Sequence, residues 1–246
     1  MTAFAAGAQP TPAGATAGLY VYCADLGGAW AQSATSFLAD EDLARLATLS
    51  RERRKTDYLG TRALLRFALQ SYTGREARSH RLRVTPAGKP ECVDGPAVSV
   101  CHSEQSAACA VAPSGALGVD LEFPSRRRRT ADIARHYFTP GENEWLKDQP
   151  SEAFYALWVL KEAYAKALGV GVFGGLNLLE CRVEAGTIEW RTARAGHAPM
   201  LALYRFGSGF LGLAAIGAGV CPARAAFVGA PGAGALPAIR LVASSR

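Results

Sequence analysis

At 246 residues, with a formal charge of +6 and 49% of its residues apolar, the chain is long enough to bury one sizeable core or two small fused ones. Its six cysteines include no C-x-x-C pair, which argues against a zinc site or a disulfide framework and for a reducing, cytoplasmic setting. No positive side chain precedes Arg45, so no secretory signal is expected, and the longest apolar stretch, Phe210 to Cys221, is too short and too glycine-rich to cross a bilayer.

Residues 1–18, mostly Ala, Gly, Thr and Pro, read as a flexible lead-in. The run LYVYCADL from Leu19 reads as a first strand, followed by helices over about 40–49 and 53–72. Turn signals at Pro86, Gly88, Pro90, Gly95 and Pro96 lead into PAVSVCHS, AACAVAP and ALGVDLE, three short strands expected in one small antiparallel sheet. Helical patterns return over about 130–137, 140–147 and 152–168, with Pro140 suited to a first turn and Gly169 to a stop. Strands are expected over about 179–184, 187–194, 200–206 and 210–216, and a loosely ordered tail over 217–246. Helices followed by strands occur twice, so the fold class is α+β: two similar halves, 19–117 and 118–216, with a cleft between them.

In GVDLE, strand alternation sets Val119 and Leu121 on one face and Asp120 and Glu122 on the other, about 7 Å apart. Two like charges so placed repel, and a cation relieves the repulsion. Two carboxylates with few other ligands suit magnesium, which takes oxygen ligands and completes its shell with phosphate and water. An isolated D-x-E is more often a solvated strand end. In WVLKEAYAK, Trp158, Glu162 and Lys166 stand at i, i+4 and i+8, on a face apart from the core stripe Leu157, Leu160, Tyr164 and Leu168. By itself a Glu162–Lys166 pair is a surface contact worth about 0.3 to 0.5 kcal/mol.

Taken together, GVDLE and, about 40 residues further on, W-x-x-K-E-A-x-x-K resemble the paired signature of the 4'-phosphopantetheinyl transferases. AGKP (Ala87–Pro90) and SVCHS (Ser99–Ser103) resemble two upstream motifs of the surfactin-type branch, whose members are pseudodimers of this length. The resemblance implies transfer of phosphopantetheine from coenzyme A to a serine of an acyl or peptidyl carrier protein by a monomer. It implies magnesium on Asp120, Glu122 and Glu162, Lys166 beside the coenzyme A phosphates, and Lys161 reaching toward the pantetheine side. It places the turn Gly88, Lys89 and Pro90, with His102 and Ser103, at the nucleotide end, and Arg62, with Arg51 and Arg53 as further candidates, at the 3'-phosphate. The base would be Glu162, directly or through metal-bound water, or Glu142 in YFTPGENEWL, with Glu162 preferred and Glu144 as an exposed neighbour. Arg66 reads as a solvated helix charge.

The run SRRRRT (Ser125–Thr130) reads equally as a dock for an acidic carrier-protein helix or as a solvated loop. Nucleic-acid binding would ask for interleaved aromatics or a binding motif beside it, and none is apparent. Gly169, Gly171 and Gly174 spell G-x-G-x-x-G, but they follow a helix, whereas a dinucleotide fingerprint follows a strand and opens one. The rival to the transferase reading is a non-catalytic coenzyme A- or nucleotide-binding protein on the same scaffold, which a lost metal carboxylate would signal; all three are present.

Overall fold

A computed structural model describes residues 18–125, 127–192, 198–232 and 235–245; most of the expected lead-in, and Arg126 of the arginine run, lie outside these. In chain order the elements used below are β1 (Tyr20–Asp25), α1 (Gly28–Ser33), α2 (Asp40–Ala47), α3 (Glu52–Thr73), β2 (Leu82–Val84), β3 (Pro90–Cys92), β4 (Ala97–Ser103), β5 (Ser106–Ala112) and β6 (Ala116–Glu122). They continue with α4 (Thr130–Tyr137), α5 (Pro140–Leu146), α6 (Ala153–Leu168), β7 (Leu179–Glu184), β8 (Thr187–Thr192), β9 (Met200–Phe206), β10 (Gly209–Ile216), β11 (Ala226–Gly229) and β12 (Ile239–Ser244). Apart from α1 and the β2–β3 hairpin, which the turn-rich composition hid, the first ten strands and six helices fall within a few residues of their expected places. No helix among the described residues is long and apolar enough to cross a membrane.

The strands form two main sheets, in the orders β11-β1-β5-β4 and β6-β10-β9-β12-β8-β7. Alternation along them sets the layers. On β5, Ala107, Cys109 and Val111 pack with Leu64, Leu65 and Leu69 of α3, while Ala108, Ala110 and Ala112 face the other way into a core shared with β6, β9 and β10. On β10, Leu211, Leu213 and Ala215 enter that shared core, and Phe210 and Ala214 pack with α6. The layers therefore run α3, first sheet, second sheet, α6, so both sheets are covered on both faces. That is why the central strands β5, β9 and β10 are nearly continuous apolar runs.

Two expectations fail. β6 does not join β4 and β5: it pairs antiparallel with β10, Asp120 opposite Gly212, and forms an edge of the second sheet. Period-two alternation fixes which way a strand's side chains point but does not choose its neighbour. β6 and β4 are both sheet edges, and Val119 N–H donates to the buried Ser99 hydroxyl at 3.0 Å.

The tail is also not loosely ordered throughout. β11 pairs parallel with β1, and β12 pairs antiparallel with β9, so each sheet takes one strand from the tail. Each of these strands buries few side chains, Val228 on β11 and Ala243 on β12, which is too weak a periodic signal to stand out among Gly, Ala and Pro.

Candidate active site

The central position belongs to α6, and two glycines let it lie directly on the second sheet. A Cβ at Gly118 of β6 would come within 1.8 Å of the Ala163 carbonyl oxygen, and one at Gly212 of β10 within 2.5 Å of the Val159 carbonyl oxygen. No side chain fits there. Because Leu117, Val119 and Leu121 point into the shared core, Gly118, Asp120 and Glu122 face α6. The close approach then brings the Glu162–Lys166 face of the helix against the two strand carboxylates.

Lys166 Nζ donates to Asp120 Oδ1 at 2.7 Å and to the Val119 carbonyl at 3.1 Å. Burial pulls the Lys166 ammonium down, but Asp120 and Glu162 outweigh it and hold its pKa above the usual lysine value. Asp120 is raised by burial despite Lys166, and its second oxygen, Oδ2, is buried with no hydrogen-bond partner. Burial, then the charges of Asp120 and Glu122, push Glu162 up to about 7. Glu122, at the mouth, receives the Ser103 hydroxyl at 3.2 Å and Arg128 at 3.0 Å. Three carboxylates thus crowd one cationic ammonium, with a buried acceptor left open.

That donor set fits a hard divalent cation, since every group is a carboxylate oxygen and the open acceptor is the kind of atom such an ion would satisfy. As the side chains stand, no three His, Cys, Asp or Glu among the described residues form a ready ligand set. Asp120 is turned to Lys166 and Glu122 to Ser103 and Arg128.

Residues 116–204, which hold all of β6 and α6, match the family model described as the 4'-phosphopantetheinyl transferase superfamily. A putative 4'-phosphopantetheinyl transferase of Synechocystis is 31% identical over 150 residues, covering 58% of this chain and 61% of that relative. The 4'-phosphopantetheinyl transferase HetI of Nostoc is 30% identical over 150 residues, covering 57% and 63%. A 4'-phosphopantetheinyl transferase of Bacillus subtilis is 31% identical over 127 residues, covering 49% and 55%. The chain thus spans under two thirds of the length of these curated relatives.

Within the matched residues the two lysines of KEAYAK part company. Lys161 does not reach toward a ligand: it is wholly buried, donates to both oxygens of Glu142 at 2.7 and 2.8 Å and to the Leu179 carbonyl, and lies 5.2 Å from the Phe138 ring centre. Glu142 is equally buried. It also accepts from Cys181 N–H at 2.9 Å and, as the third residue of α5, from Thr139 N–H at 2.8 Å. With every partner inside the fold, Glu142 is in no position to take a proton from a substrate.

Upstream of the matched residues, Ser103 touches the site directly, and Lys89 bonds the Leu117 carbonyl at 3.0 Å, three residues before Asp120. Burial lowers the Lys89 pKa, with Glu91 opposing. Gly88, at φ +85°, closes the turn that carries Lys89 into Pro90 at the start of β3. His102 is exposed beside them. Arg62 is instead held by Asp42 at 3.5 Å and stacks 5.4 Å from the Tyr58 ring centre, and Arg51 is exposed at the N-terminus of α3. Arg66 is not a solvated charge: it is wholly buried, bonded to Asp42, Glu41 and the carbonyls of Ala77 and His80.

Two participants escaped the sequence reading. Arg128 was one of four indistinguishable arginines, yet it turns inward onto Glu122 and sits 4.7 Å from the Trp158 ring centre. Trp158, read only as a helix-face residue, packs with Phe138 and Phe154 beneath it.

Proposed function

We propose that this protein transfers the 4'-phosphopantetheine group of coenzyme A to a serine of an apo acyl or peptidyl carrier protein, releasing 3',5'-ADP, as a surfactin-type, cytoplasmic monomer. The observation that carries the reading is the group of buried Asp120 and Glu162 with half-buried Lys166 inside the matched residues 116–204, with Asp120 Oδ2 unpartnered. In this reading Asp120, Glu122 and Glu162 hold magnesium, which would neutralise charge on the pyrophosphate when bound. Lys166 lies against the same phosphates and steadies the oxygens over which charge spreads during transfer.

The serine oxygen bonds to the β-phosphorus as the bond to the departing 3',5'-ADP breaks, and the serine proton passes to a base. Glu162 is the base, supported by its place in the cluster beside Asp120 and Lys166. Lys89, in the Gly88–Lys89–Pro90 turn, together with His102 and Ser103, lines the nucleotide end, and Arg62 with Arg51 meets the 3'-phosphate. For Arg62 this requires exchanging Asp42 for phosphate. Nothing in the site favours the alternative of a non-catalytic coenzyme A-binding protein, because none of the three carboxylates is lost.

The test is incubation with coenzyme A, magnesium and a panel of apo carrier proteins, read by intact mass. The expected result is a gain of about 340 Da on at least one carrier, abolished by chelator and by Asp120→Asn. Coenzyme A binding without a gain on any carrier would establish the non-catalytic alternative.

A further inference from the structure

Arg128 is placed too deliberately for a solvated loop charge. The Tyr155 hydroxyl accepts from Ser125 N–H at 2.9 Å and donates to the Ser125 carbonyl at 3.1 Å, pinning the chain that leaves β6. Arg128 N–H donates back to that same carbonyl at 3.2 Å, and the Arg128 carbonyl accepts from Thr130 N–H at 2.9 Å as α4 begins. The guanidinium so delivered sits on a platform of three rings, 4.7 Å from the centre of Trp158, 5.7 Å from Phe154 and 5.8 Å from Tyr155. Cation–π attraction and the pinned loop hold it at one end of the carboxylate group, 3.0 Å from Glu122 Oε1.

Glu122 and Arg128 are both about one quarter exposed, so their pairing is neither sealed in the core nor lost to solvent. The consequence is that Glu122 is engaged. A dication drawing on Asp120, Glu122 and Glu162 together must first take Glu122 away from a guanidinium whose own position is fixed by other contacts.

Resting on the metal reading above, we propose that Arg128 is a resident counter-cation of Glu122, displaced from it by the incoming metal and then free, on its Trp158 platform, to pair with the anionic group that arrives with the metal. It is a positioning residue with two successive partners of like charge. The arrangement makes metal binding and phosphate binding help one another: metal alone must compete with Arg128, whereas metal with a pyrophosphate gives the arginine a replacement partner.

The test compares wild type, Arg128→Gln, Arg128→Lys and Asp120→Asn in two titrations. With Mn2+ alone, followed by the electron paramagnetic resonance of free Mn2+, R128Q is expected to bind roughly three- to tenfold more tightly than wild type, and R128K to return toward wild type. With coenzyme A in saturating magnesium, followed by calorimetry, R128Q is expected to bind more weakly than wild type. This change of sign between titrations is what a merely structural role would not produce. If R128Q binds Mn2+ no better than wild type while D120N loses it, the proposal is overturned and the metal reading stands. If neither wild type nor R128Q binds Mn2+ differently from D120N, both fail.

Discussion

The two long helices, α3 and α6, each bury a cation in an ion pair with a buried carboxylate, and the two arrangements correspond closely. On α3, Arg66 reaches Asp42; on α6, Lys161 reaches Glu142. Each carboxylate is the third residue of a short helix and caps that helix's own first turn, on the N–H of Ala39 and of Thr139. Each cation also bonds backbone carbonyls in the chain beyond its helix, Arg66 at Ala77 and His80 and Lys161 at Leu179. The difference is in sealing. The branched guanidinium of Arg66 also engages Glu41, which is 63% exposed, while the ammonium of Lys161 is closed in by Phe138. Only α6 goes on, one turn later, to a second ion pair at Asp120, and that pair leaves a buried oxygen unpartnered. A buried charge with every partner in place holds the fold; one with an atom left over marks where something else binds.

Breaking that comparison gives the largest effects. Removing one member of the sealed pair, Lys161→Met or Glu142→Leu alone, strands its partner and is expected to cost about 3 to 5 kcal/mol in chemical denaturation, with the double variant regaining a good part of it. Ionising Glu162 in the metal-free protein comes next. Its folded pKa of about 7 lies above its ordinary value of 4.5, so its contribution is present below pH 4.5 and lost as pH rises through 7. Glu162→Gln should therefore leave stability at pH 4 little changed and raise it at pH 8 by up to roughly 3 kcal/mol, in urea melts at the two pH values.

The contact of α6 with β6 is smaller again. Gly118→Ala forces the helix off the Ala163 carbonyl and should cost about 1 to 3 kcal/mol while also weakening Mn2+ binding, because Asp120 and Glu162 move apart. The exposed Arg83–Glu91 pair on the β2–β3 hairpin, by contrast, should change stability by no more than about 0.5 kcal/mol when Glu91 becomes Gln.

The parts of this picture that lie along the chain were readable from the sequence. Strand alternation in GVDLE put Asp120 and Glu122 on one face, and helical spacing put Glu162 and Lys166 on another; the structure brings those faces together. What the sequence withheld was direction across the chain. In KEAYAK the helical period sets Lys161 on the stripe of Leu157 and Tyr164 and Lys166 on another face, but it names no partner for either: Glu142 lies on another helix, and the approach of Lys166 to Asp120 depends on Gly118 and Gly212, which set how α6 lies on the sheet. In the arginine run, Arg128 stands out only because Tyr155, about 30 residues away, pins Ser125. The place of β6 beside β10 and the strands of the tail were hidden for the same reason: a partner far along the chain leaves no periodic trace.

The measurement closest to the central claim is calorimetric titration of coenzyme A, in magnesium, into Asp120→Asn and into the Lys161→Met/Glu142→Leu double variant, each at a temperature where it is folded. The account predicts that D120N keeps wild-type stability but loses most of the magnesium-dependent affinity, while the double variant, though less stable, binds as wild type does. Retained affinity in D120N together with lost affinity in the folded double variant would reverse the assignment, making the sealed pair the site and the Asp120 cluster the architecture.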